Sequence, residues 1–121
     1  MKANELRIGN YVTENTYGVK RIAKTIAIKE KQVVLILENY IIATSIKNIE
    51  PIPLTEEWLL KFGFINDKVL EFYRNDFTDS TIIIDYNFIC LLGYSHVKLK
   101  YVHQLQNLFF ALTGEELEIK Q

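Results

Sequence analysis

A mixed α+β fold, with an N-terminal SH3-like small β-barrel followed by an α, β-meander, α half, is predicted by three features of this sequence. Short apolar runs separated by turn residues recur through residues 6–54. Pro51 and Pro53 end that pattern, and Thr55-Glu56-Glu57-Trp58 opens a different one. Near the C-terminus, Val102, Leu105, Leu108, Phe109 and Leu112 fall at i, i+3, i+6, i+7 and i+10, the stripe of a helix lying on a core, and Gly114 stops it.

In the first half, residues 6–12 read as a short strand with a glycine inside it, and residues 15–18 as a turn. Residues 19–28 follow as a strand. Lys29-Glu30-Lys31 turns the chain into residues 32–37, and Glu38-Asn39 turns it again into residues 40–46. A turn at residues 47–49 and a last extended piece, residues 50–54, complete five strands, whose closure into a barrel removes the sheet edges. The run 33–37 is apolar on both parities, which implies cover on both of its faces. The C-terminal helix is the expected lid, so residues 1–54 and 55–121 are expected to pack as one compact unit.

In the second half, Thr55 is the expected N-cap of a helix of about two turns closed by Gly63, with Glu56 and Glu57 at its positive end and Leu54 and Leu59 as a hydrophobic staple. Residues 68–74 read as a strand, 75–79 as a turn, and 80–92 as half-buried sheet. Within the last of these, Asp85-Tyr86-Asn87 is equally compatible with a tight turn between two short strands. A turn at 93–96 and an alternating strand at 97–100 lead to the helix, giving two to four antiparallel strands between two helices.

Composition bounds the function. The chain is 49% hydrophobic and 24% charged with five Gly and two Pro, which is the composition of an ordered domain. Its one cysteine, Cys90, lies in Phe88-Ile89-Cys90-Leu91-Leu92, so no internal disulfide can form and a small buried hydrophobe in a reducing compartment is expected. The charged N-terminus has no apolar signal core and no run approaches a membrane span, so a cytoplasmic protein without membrane contact is expected. Eight Lys/Arg against five Asp/Glu in residues 1–50, and six against ten in 51–121, give the halves charges of +3 and −4. That asymmetry is well short of the basic stripe of a dedicated nucleic-acid binder.

Catalytic signatures are missing. With His96 and His103 the only histidines, no Gly-x-Ser-x-Gly elbow and Cys90 in an apolar run, no nucleophile has a base and an orienting partner. Two histidines seven residues apart match no usual metal-ligand spacing, and neither phosphate-loop motif occurs. Glu56-Glu57, Asp76 with Asp79, and Glu115-Glu116-Glu118 are accounted for by helix dipole, turn chemistry and solubility. The expectation is a protein that is not an enzyme and needs no cofactor or metal.

Binding is the better prospect, through two candidate surfaces. Lys20, Arg21, Lys24, Lys29 and Lys31 concentrate charge on one hairpin near Tyr11, Tyr17 and Tyr40, the makings of a surface that follows phosphates and stacks on bases. The same residues also fit an ordinary solvated hairpin. On the C-terminal helix, His103, Gln106, Asn107 and Phe110, with Gln104 beside them, lie opposite the apolar stripe and suit a protein contact; packing of Phe110 under the barrel is the alternative.

Three segments resemble a group of small uncharacterised proteins of Bacteroidetes genomes and their phages and prophages. They are Ala3-Asn-Glu-Leu-Arg-Ile-Gly-Asn-Tyr-Val12, Pro51-Ile-Pro-Leu-Thr-Glu-Glu-Trp-Leu-Leu-Lys-Phe-Gly-Phe64 and Lys100-Tyr-Val-His-Gln-Leu-Gln-Asn-Leu-Phe-Phe-Ala-Leu-Thr-Gly-Glu-Glu-Leu117. The resemblance implies a mobile-element context and no mechanism. Within that context it implies an inhibitor of a CRISPR effector, of the RNA-targeting type VI-B kind, bound to the effector protein or its guide RNA. A self-associating phage structural or accessory protein, and a small RNA- or peptide-binding module, are the alternatives.

Overall fold

Tyr17 and Gly18, both with positive φ (55° and 78°), form the two-residue turn between strands β1 (Tyr11–Thr16) and β2 (Val19–Ile28). Two left-handed residues in succession match the twist of a hairpin, and Thr16 pairs directly with Val19. The turn expected at 15–18 is therefore tighter than expected, and β1 runs to Thr16. The computed structural model describes residues 1–76, 81–92 and 94–120; Phe77, Thr78, Asp79, Ser80, Gly93 and Gln121 lie outside the described residues, and with them parts of the turns expected at 75–79 and 93–96. The fold is α+β, with two five-stranded antiparallel sheets, one in each of two units, Met1–Ile52 and Pro53–Gln121.

In the first unit β2 is shared. Its first half pairs with β1 and its second half with β3 (Gln32–Ile36), with a bulge at Ile26 that bends the strand between its partners. Strand β4 (Ile41–Ser45) pairs with β3, and β5 (Ile49–Glu50), reached through a 3-10 turn at Ile46–Asn48, pairs with β1. The order is β4-β3-β2-β1-β5. Among the described residues no ladder joins β4 to β5, so the expected closure is not made and both remain edges.

One face of this sheet carries Val12, Ala23, Val33, Leu35, Leu37 and Ile49, a buried cluster joined by Leu6. The strand expected at 6–12 is a turn over its first part. Asn10 is fully buried and its Oδ1 accepts from the Arg7 N–H at 2.7 Å, while Gly9 takes φ 101°, open to glycine at no steric cost. The two-faced cover expected for 33–37 is also corrected. Val33 and Leu35 are wholly buried, but Ile36 is 40% exposed on the opposite parity.

The second unit begins where Leu54 N–H bonds the Lys100 carbonyl at 2.9 Å, an antiparallel bridge that also pairs Pro53 with Tyr101. Helix α1 (Glu56–Lys61) is capped by Thr55, whose Oγ1 accepts from Trp58 N–H at 3.4 Å, and Gly63 (φ 91°) ends it. The sheet that follows has five strands rather than two to four: β6 (Ile65–Asp67), β7 (Phe72–Arg74), β8 (Ile83–Asp85), β9 (Ile89–Leu92) and β10 (Ser95–Lys98), ordered β10-β9-β8-β7-β6. The expected strand at 68–74 is halved because Asp67 Oδ1 accepts from Val69 and Leu70 N–H and folds that stretch into a turn. Asp85-Tyr86-Asn87 lies at the tight-turn alternative: Asp85 Oδ1 accepts from Asn87 and Ile89 N–H, and Phe88 has φ 60°.

Helix α2 (Val102–Thr113) buries Val102, Leu105 and Phe109 as expected, then ends at Gly114 in the left-handed conformation (φ 75°). Among the described residues no helix is long and apolar enough to cross a membrane. The hairpin turn gives a direct test. Tyr17 is fully solvent-exposed and holds a left-handed conformation that an L-residue adopts at a cost of about 1–2 kcal/mol. Tyr17→Asn, better suited to that conformation, is expected to raise stability by about 0.5 kcal/mol, read as a higher urea midpoint at unchanged slope.

Candidate binding face of the first sheet

The β1–β2 register decides where the basic residues go. Glu14 stands opposite Arg21, Thr13 opposite Ile22, and Tyr11 opposite Lys24. Directly opposed residues share a face, so Arg21 points to the side of Val12 and Ala23, whereas Lys20, Ile22 and Lys24 point to the other. The five basic residues of the expected hairpin surface are thus divided. Lys20 and Lys24 share the outer face, Arg21 is turned inward, and Lys29 and Lys31 are at the β2–β3 turn.

Arg21 is held by three contacts. Its guanidinium donates to Glu14 Oε1 at 2.6 Å and to the Tyr40 hydroxyl, and lies over the Tyr40 ring at 5.6 Å from the centroid. Glu14 is fully buried, and this cation is its counter-ion. Among the described residues neither Glu14 Oε2 nor Arg21 Nε, both shut off from solvent, has a hydrogen-bond partner. Arg21 is therefore a structural counter-ion first.

On the outer face the charge is partly cancelled. Lys20 Nζ lies 3.3 Å from Glu50, which also accepts from Asn15 Nδ2 at 3.2 Å. The Asn15 hydrogen bond first, and Lys20 second, hold the Glu50 carboxyl below its ordinary range. Lys24 Nζ stands over the Tyr11 ring, 5.9 Å from the centroid. Apolar side chains fill the rest. Lys24 is opposite Ile36 and Ile36 opposite Ile41, so the two isoleucines lie on the same face as Ile22. All three are exposed, Ile41 by 60%. The face is thus apolar at its centre with basic and aromatic groups along β1 and β2, a pattern that marks contact surfaces.

The second candidate surface is largely consumed by folding. His103 and Gln106 are buried, not on an exposed face. Gln104 Oε1 accepts from the Lys100 and Tyr101 N–H groups at 2.9 and 3.1 Å, which caps α2. Gln106 Nε2 donates to the Leu117 carbonyl at 3.2 Å. Asn107 is half-buried, and of the five only Phe110 is exposed. The buried arc of α2 is rotated towards His103 and Gln106, leaving Leu112 43% exposed, because the residues after Gly114 turn back and bury Leu117. A helical wheel of residues 102–113 carries no sign of that return.

Sequence reasoning missed Ile22, Ile36 and Ile41 as surface residues. For Ile36 the signal was the run that is apolar on both parities, which fits one buried face and one apolar exposed face as well as it fits two buried ones. Among the described residues no three His, Cys, Asp or Glu side chains converge as a metal site, and burial pushes the Cys90 thiol up, away from its reactive thiolate. Comparison with protein-family models, with curated proteins and with solved structures gives no match.

Two outcomes are expected from these contacts. Arg21→Met strands the buried Glu14 carboxylate and is expected to cost about 3 kcal/mol in urea unfolding, while Glu14→Leu with Arg21→Met recovers to within about 1 kcal/mol of the parent. In an NMR titration the Glu50 carboxyl is expected below its reference of 4.5, and Asn15→Ala and Lys20→Ala are each expected to move it up. Because that value is depressed on folding, the stabilisation is present at neutral pH and is lost as pH falls through it.

Proposed function

We propose that this chain is a non-enzymatic binding protein that acts by occupying a surface of a host effector, and that the effector is a CRISPR nuclease of the RNA-targeting type VI-B kind. One observation carries the binding reading: Ile22, Ile36 and Ile41 are exposed on one face of the first sheet, beside the exposed Lys20 and the half-buried Lys24 and Tyr11. Isoleucines clustered in water are unfavourable and are accounted for by a protein surface that covers them.

The same face favours the effector protein over its guide RNA. Of its two lysines, Lys20 is paired with Glu50 and Lys24 lies over the Tyr11 ring, while Arg21 is turned to the other side against Glu14, so the charge this face offers phosphates is small. The choice of effector rests on the resemblance of three segments to phage and prophage proteins. The strand order β4-β3-β2-β1-β5, with a 3-10 turn before β5, supports an SH3-like strand arrangement for the first unit, without the closure of a barrel. The cytoplasm is the compartment where such an effector works.

Inhibition of target-RNA cleavage by a type VI-B effector loaded with guide RNA is the test. Full inhibition by the parent chain and loss of inhibition by folded Ile22→Glu/Ile36→Glu is the expected result. Inhibition by the double variant equal to that of the parent would remove the face from the account, and no inhibition by the parent would remove the effector.

A further inference from the structure

Four strand edges are open among the described residues, β4 and β5 in the first sheet and β6 and β10 in the second. Three carry the charges that discourage edge-to-edge pairing: Glu50 on β5, followed at once by Pro51, Asp67 on β6, and Lys98 on β10. Strand β4, Ile41-Ile42-Ala43-Thr44-Ser45, carries none. It is also long for an edge, and three of its residues are β-branched.

The backbone of β4 offers a regular set of outward groups. Leu37 N–H bonds the Tyr40 carbonyl at 2.9 Å and Ile46 N–H bonds the Lys31 carbonyl at 3.0 Å, which brackets the ladder between β3 and β4. Hydrogen-bonded and non-hydrogen-bonded pairs alternate along an antiparallel ladder, so Ile42 and Thr44 turn their backbone groups to β3. Ile41, Ala43 and Ser45 turn theirs outward. The inner side of this edge is open as well: a groove of about 460 Å³ lies between Ile42, Ala43 and Thr44 on β4 and Glu14, Thr16 and Val19 on the first hairpin.

The geometry points to a second copy of this chain as the occupant, paired antiparallel through β4 about a two-fold axis at Ala43. In that register Ala43 meets Ala43, Ile41 meets Ser45, and Ile42 meets Thr44, so each large side chain lies opposite a smaller one. Every outward N–H of one copy meets an outward carbonyl of the other. Charge agrees with the same register. The strand itself places no like charges opposite each other, and the antiparallel arrangement sets the end of β4 preceded by Glu38 against the end of its mate followed by Lys47. The resulting sheet is continuous across both copies and aligns their two apolar outer faces.

Sedimentation equilibrium of the full chain tests this. The parent is expected to approach twice its 14.2 kDa mass as concentration rises. Ala43→Lys and Ala43→Glu each place like charges on the axis and are expected to remain at 14.2 kDa, whereas an equimolar mixture of the two is expected to recover the doubled mass. A parent that stays monomeric at millimolar concentration overturns the proposal. So does a doubled mass that persists in both single variants with unchanged circular dichroism, and so does a mixture of folded variants that stays monomeric. If either variant proves unfolded, Ala43→Cys replaces it: a cross-link between the two introduced thiols on mild oxidation supports the axis, and no cross-link overturns it.

Discussion

A single buried carboxylate constrains the first sheet. Glu14 is without solvent exposure, and Arg21 directly across the hairpin is its counter-ion at 2.6 Å. A one-residue slip of β2 against β1 would place Lys20 or Ile22 opposite Glu14 and turn Arg21 outward. The carboxylate would then lose the guanidinium that compensates it, or the apolar face would take up a lysine, and either costs several kcal/mol. The left-handed turn at Tyr17 and Gly18 selects the same register from the other end of the hairpin. Once it is fixed, β3 and β4 inherit it, and Ile22, Ile36 and Ile41 have no choice of side.

The second unit shows why amides on a helix are a poor guide to contact surfaces. In the sequence Gln104 and Gln106 resemble donors left for a partner, yet each satisfies backbone groups that folding itself strands. Gln104 serves the first turn of α2, and Gln106 serves the chain that returns after Gly114. That return is pinned again where Lys120 N–H bonds the Lys61 carbonyl at 2.7 Å, at the end of α1. Tyr73 is tied similarly. Its phenol donates to Glu56 Oε2 at 3.0 Å, and burial together with that carboxylate pushes it up to about 12. Polar side chains in this unit work mainly to close its own backbone and to hold its first helix.

Much of the chain is legible because its signals are local. Thr55 as a cap, Gly63 and Gly114 as stops, the strand at Val19–Ile28 and the turns at 29–31 and 38–39 each depend on residues a few positions apart. What stays hidden depends on distant partners. The parity of β2 is set by Glu14, and the buried arc of α2 by Leu117, and neither is marked by periodicity within the element concerned. Strand β6 is three residues long, too short for an alternation to register. The basic hairpin illustrates the difference most clearly. Five cations close in sequence become one inward counter-ion, two outer-face lysines and two turn residues, because a strand sends neighbours to opposite faces.

The central claim is that the outer face of β2, β3 and β4 is where this protein meets its target. Hydrogen–deuterium exchange of the full chain, alone and bound to a guide-loaded type VI-B effector, reads that face directly. Slowed exchange concentrated in residues 19–45, with α2 unchanged, is the result the account predicts. Protection concentrated in residues 102–113, with none in residues 19–45, would contradict it.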